Sequence, residues 1–174
     1  MVSAKVGINP LTTTEKPMKI ILAVVGKTTT PYIATGIAEY AKRLGFYVPF
    51  ELLTIPDAKT TKGTIPAKQK QLEAQNLLQA LDKGDHVVLL DERGRELSSV
   101  ELARYLEKTM SAGFKRLVFI VGGPYGFSDE VYQRADGKIS LSKMTFPHEL
   151  ARLVFTEQLY RAMTILNNEP YHHP

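Results

Sequence analysis

Cysteine is absent from the 174 residues. Its absence excludes disulfides, thiolate metal sites and a cysteine nucleophile. A single domain of this length buries roughly 70% of its unfolded surface, so none of those staples is needed. Long apolar runs are missing as well: nothing approaches the roughly 20 residues that cross a bilayer as a helix. Residues 1–17, MVSAKVGINPLTTTEKP, lack the continuous apolar centre of a secretory signal. The reading is a soluble, cytoplasmic protein with no membrane contact. A strong charge of one sign is also absent. The 22 Lys and Arg against 18 Asp and Glu leave +4, which suits an acidic partner such as nucleic acid and equally an ordinary soluble domain.

What is present is alternation. The opening stretch mixes Gly, Pro, Thr and Lys without periodicity, so residues 1–17 read as an extension outside the core and 18–174 as one domain. "KIILAVV" from Lys19 is a short apolar run. Pro31 to Leu44 then carries Ile33, Ile37, Tyr40, Ala41 and Leu44 at helical spacing. A second strand is expected over Phe46 to Ile55 and a helix around Ile65 to Leu81. "DHVVLLDERG" predicts a third strand ending at Asp91. Ser98 with Glu101 predicts a capped helix that Gly113 stops. "KRLVFIVGG" is continuously apolar, as in a central parallel strand covered on both faces. A short helix at Ser128 to Arg134, a short strand at Lys138 to Leu141 and a long helix from His148 to Asn167 complete the chain. The order predicts an α/β fold: a mostly parallel sheet with helices on both faces, ligands sitting at the strands' C-terminal ends.

Three stretches fall at such ends. "LLDERG" puts Asp91 and Glu92 after a buried strand, with Gly94 allowing a sharp turn; alone, it also reads as a solvated turn. "VGGPYGF" places three glycines within five positions, which suits close backbone approach to a ligand and equally a tight strand-to-helix turn. It is neither the dinucleotide fingerprint nor a P-loop. "ISLSKMTFPHEL" runs from a very short strand into a helix N-terminus, where Ser142, Thr145 and backbone N–H groups suit a polar ligand.

The final helix is apolar around most of its circumference, leaving a narrow polar strip at Arg152, Thr156 and Gln158. Two burying surfaces are implied. One is the chain's own core; the other is a second subunit or more of the same chain.

Together, "LLDERGRELSS", "FIVGGPYGF", "ISLSKMTFPHELARLVFTEQLYRA" and the closing "NNEPYHHP" resemble the small SPOUT-class methyltransferases of the RlmH family, which modify a 23S rRNA pseudouridine at N3. The resemblance spans residues 18–174. It implies a C-terminal trefoil knot and a homodimer formed through the last helix. It also implies a cytoplasmic enzyme acting on helix 69 of large-subunit rRNA within the assembled ribosome. By the same resemblance S-adenosylmethionine is the methyl donor, with no metal, held by Leu90, Gly123, Ser142, Lys143, Met144, Thr145, Phe146 and Pro147.

The resemblance further implies that the tail completes a composite site on the partner subunit. A sulfonium methyl is already activated, so alignment and loss of the N3 proton are what the protein must supply. Arg161 is the expected cation for the developing anion, or an i to i+4 ion-pair partner of Glu157, or both. His172 is the expected base and Tyr171 belongs to the same tail site. Here the chain departs from its relatives, which carry His-Arg or His-Lys where it has His172-His173. Two rival readings use the same residues: another RNA base as target, or a ribosome-associated module without catalysis.

Overall fold

The computed structural model describes residues 16–174. The expected extension therefore lies almost wholly outside the described residues. Ten elements alternate as β1 (Lys19–Val25), α1 (Pro31–Leu44), β2 (Phe50–Ile55), α2 (Pro66–Ala80), β3 (His86–Glu96), α3 (Ser99–Ser111), β4 (Arg116–Val121), α4 (Asp129–Arg134), β5 (Gly137–Ser140) and α5 (His148–Leu166). All strand pairs are parallel, in the order β2-β1-β4-β3-β5.

The apolar runs form strands because both faces are covered. Ile20, Leu22 and Val24 of β1 and Leu117, Phe119 and Val121 of β4 pack against Leu102 and Leu106 of α3 and Phe155 and Leu159 of α5. Their alternate neighbours, Ile21, Ala23, Val118 and Ile120, face Ala74 and Leu77 of α2 and Val131 of α4. Residues two apart share a face, so each strand feeds two cores.

Local signals set the helix ends. Ser98 accepts the Glu101 N–H at 3.2 Å while Glu101 accepts the Ser98 N–H at 2.7 Å, closing a reciprocal cap. Gly113, at φ +84°, stops the chain after α3. Ser128 caps α4. α1 has Pro31 first and no cap from its own side chains.

Two elements differ from the sequence expectation. β2 starts at Phe50 rather than Phe46, because the Tyr47 and Val48 N–H groups bond back to the Leu44 carbonyl at 2.9 and 3.1 Å. Phe46 is left 80% exposed on that turn. β3 does not stop at Asp91 but continues to Glu96 with a break in register, so that Leu90 and Arg95 both pair with Ile139 of β5. Gly94 sits at this return. A Cβ there would lie 2.5 Å from the Ile139 carbonyl carbon, so glycine is required by a backbone crossing rather than by a turn.

Candidate active site

Strand ends Leu90, Val121 and Ile139 stand in one register row, and the loops leaving them wall a cavity of about 560 Å³. That is ample for a small-molecule cofactor. Of the residues expected to hold the donor, Leu90, Gly123, Ser142, Lys143, Met144, Thr145 and Phe146 line this cavity. Pro147 does not: it precedes α5, its carbonyl accepting the Ala151 N–H at 3.0 Å.

Hydrogen bonds between near neighbours shape the walls. The Ser140 hydroxyl donates to the Ser142 carbonyl at 3.1 Å, and the Ser142 hydroxyl accepts the Met144 N–H at 2.9 Å. The loop is thereby bent so that Met144 projects 77% exposed, an apolar side chain with nothing of its own chain to cover it. Opposite, a turn brings the Gly126 N–H to the Gly123 carbonyl at 3.2 Å, with Gly126 at φ +74°. Asp91 is not a solvated turn residue. It accepts the Tyr132 hydroxyl and the Arg93 N–H, and burial followed by the Asp91 bond pushes the Tyr132 phenol up to about 12. The cavity thus combines glycine walls at Gly122, Gly123 and Gly126, apolar Leu90 and Met144, and the charged side chains of Lys70, Asp91, Glu92, Arg93, Asp129 and Lys143. Such a lining suits a ligand with an apolar heterocycle and charged substituents.

The other expected residues lie elsewhere. Ala151 lines the cavity, and from Ala151 to Arg161 an α-helix rises about 15 Å. There Arg161 donates to Glu157 at 2.6 Å, its guanidinium lies 4.8 Å from the Tyr171 ring centre, and it meets His172 Nδ1 at 3.3 Å. Tyr171 donates to Glu157 at 3.0 Å and stands edge-on to Tyr160. A guanidinium only donates, so Nδ1 is the acceptor in this pair. Burial, then the Tyr40 and Glu157 neighbours, hold the Tyr171 phenol well above its usual range, which leaves it a donor at neutral pH. The tail is therefore docked on its own α5. Arg161, Tyr171 and His172 form one cluster, and none of them lines the cavity of the same chain.

A family model described as a predicted SPOUT methyltransferase matches residues 18–172. The chain belongs to the SPOUT methyltransferase family. It is similar to the protein named ribosomal RNA large subunit methyltransferase H of Parabacteroides distasonis, at 58% identity over 156 residues, 90% of this chain and 99% of the relative. Proteins of the same name from Christiangramia forsetii and Bacteroides fragilis are each 53% identical over the same shares.

In this SPOUT methyltransferase the sequence reading inverted the polar strip of α5. Arg152 and Thr156 are fully buried and face the sheet with Phe155 and Leu159. Arg152 donates to the Val25 carbonyl at 2.6 Å and to the Gly26 carbonyl and Thr28 hydroxyl at 3.0 Å each. One turn earlier, Glu149 accepts the Thr29 N–H at 2.8 Å, the Thr29 hydroxyl at 2.9 Å and the Thr30 N–H at 3.0 Å. Those bonds, led by the Thr29 N–H, pull its carboxyl down to about 2. Glu149 thus takes the Thr30 N–H at the start of α1, where its negative charge also suits the helix dipole. Among the described residues no helix is long and apolar enough to cross a membrane, and no cluster of His, Asp and Glu is placed to hold a metal.

Proposed function

We propose that the chain transfers a methyl group from S-adenosylmethionine to N3 of a pseudouridine in helix 69 of large-subunit 23S rRNA, on the assembled ribosome. The observation that carries this is the convergence of three loops on one cavity whose lining holds Leu90, Gly123 and Ser142 to Phe146, in a chain of this family. The names of its relatives support the large-subunit rRNA target. When bound, the donor would supply an activated methyl to N3, with its sulfur left as a neutral thioether and the N3 proton passed to the protein.

The protein's part is placement and charge. Leu90, Gly123, Ser142, Lys143, Met144, Thr145 and Phe146 would hold the donor, Leu90 and Met144 through their apolar side chains. Pro147, beside the cavity, fixes where α5 begins. Arg161, pre-set by Glu157, stabilises the anionic ring as the proton departs. His172 receives that proton once Arg161 turns from Nδ1 to the substrate, and Tyr171, held protonated, orients Glu157 and the ring.

The distance along α5 makes these two groups of residues useful to each other only between subunits. The active form is accordingly a homodimer packed through α5, whose Leu150, Leu153, Val154 and Ile165 are only part-buried in one chain. The SPOUT family match supports a C-terminal trefoil knot.

The test is to incubate the protein with labelled donor and large-subunit particles lacking the modification, then map the label on rRNA fragments by mass spectrometry. A methyl on the helix 69 pseudouridine is the expected result. Donor binding with no transfer to ribosomes would overturn the enzymatic reading, and a methyl elsewhere in the RNA would overturn the target.

A further inference from the structure

Four charged residues are buried among those described: Glu73, Asp85, Glu149 and Arg152. Three have an ion-pair partner or three hydrogen-bond partners, although the Arg152 Nε is left without an acceptor. Asp85 meets Arg116 at 3.0 Å, Glu149 collects three donors and Arg152 serves three acceptors. Glu73 is the exception. It is 4% exposed, and its one hydrogen-bond partner is the neutral amide of Gln69, at 3.0 Å from Oε1. No cation lies within ion-pairing distance of it among the described residues. A buried carboxylate is costly unless several donors or a cation meet it, and Glu73 has one donor.

Its position is beside the donor cavity. Oε2 of Glu73 stands 2.6 Å from where a Cβ of Gly123 would be, and Gly123 is a wall of the donor cavity. No side chain separates the carboxylate from that wall, because glycine has none. In a poorly hydrated interior a charge is felt across several ångströms, without contact.

We propose that Glu73 is a specificity-determining residue that tunes the cavity to the charge of its occupant, favouring the positively charged sulfonium of the donor over the neutral thioether left after transfer. This rests on the donor reading above. Methyl loss removes the positive charge at sulfur, so the field that draws the donor in no longer holds the product. Glu73 in this way biases the site towards loading before the reaction and release after it.

Isothermal titration of the full chain with S-adenosylmethionine, S-adenosylhomocysteine and sinefungin, which carries an ammonium near the sulfonium position, tests it. Glu73→Gln keeps the shape and a hydrogen-bonding side chain. It should weaken the two cationic ligands by roughly five- to tenfold and leave S-adenosylhomocysteine within twofold of the parent. Equal weakening of all three, or of none, overturns the proposal and makes Glu73 a packing residue. If Glu73→Gln does not fold, Glu73→Asp draws the charge back from Gly123. It should shift the cationic-to-neutral affinity ratio in the same direction by a smaller factor, and an unchanged ratio overturns the proposal. A parent protein that binds none of the three ligands would instead remove the donor reading itself.

Discussion

The two ends of α5 are built by opposite means. At its N-terminal end, beside the cavity, Glu149 and Arg152 bond chiefly to backbone groups between Val25, the end of β1, and Thr30, just before α1. At its C-terminal end, Arg161, Glu157, Tyr171 and His172 bond to one another through side chains. Backbone partners are fixed by the fold and cannot exchange. Side-chain partners can be traded for a substrate at the loss of a few hydrogen bonds. The first end is a foundation, and the second is a set of groups that can be redeployed.

Deleting Tyr171 to Pro174 gives the largest contrast between them. Methyl transfer to ribosomes should fall below detection, while donor affinity by titration stays within about threefold, since none of the deleted residues lines the cavity. Normal methylation by the truncated protein would end the composite-site reading. Next is Arg161→Ala, for which a loss of roughly 100- to 1,000-fold in kcat with unchanged donor affinity is expected if the guanidinium stabilises a developing anion. A loss confined to KM would make it a binding residue. Gly123→Ala works on the cavity instead. Its methyl would meet the Glu73 carboxylate at 2.6 Å, and donor affinity should fall roughly tenfold because a buried group must shift.

The foundation end can be titrated. Glu149 has its carboxyl depressed to about 2 in the fold from 4.5 unperturbed, so its contribution to stability is complete above the higher value and disappears as pH falls through the lower one. Urea unfolding midpoints should therefore decline over that window, and Glu149→Gln should flatten this part of the profile. The smallest effect belongs to Tyr132→Phe, which removes the bond to Asp91 and should lower unfolding free energy by about 1 kcal/mol.

Much of this architecture can be read from residues alone. Strands buried on both faces announce themselves as unbroken apolar runs, and the caps at Ser98 and Ser128 rest on neighbours three residues away. The three loops around the cavity stand at strand ends that the sequence marks, but the glycine loop reads equally as a tight turn, and the donor-holding residues rest on the family resemblance. What escaped depends on distant partners. "DERGRE" reads as a turn because its charges hide a strand whose pairing lies in β5. Arg152 reads only as part of a polar strip because its acceptors, the Val25 and Gly26 carbonyls, are 127 and 126 positions away.

Arg152 also has a consequence for how the chain assembles. The carbonyls that end β1, the first strand made, receive their partner from α5, the last helix made. Until α5 is available those groups have no buried donor, and the Thr29 and Thr30 N–H groups before α1 have no carboxylate acceptor. Contacts of such long sequence separation form late and slowly. The nascent protein therefore stays open at its earliest strand for nearly the whole of its synthesis, and truncation before Glu149 should leave a chain that cannot close its own beginning.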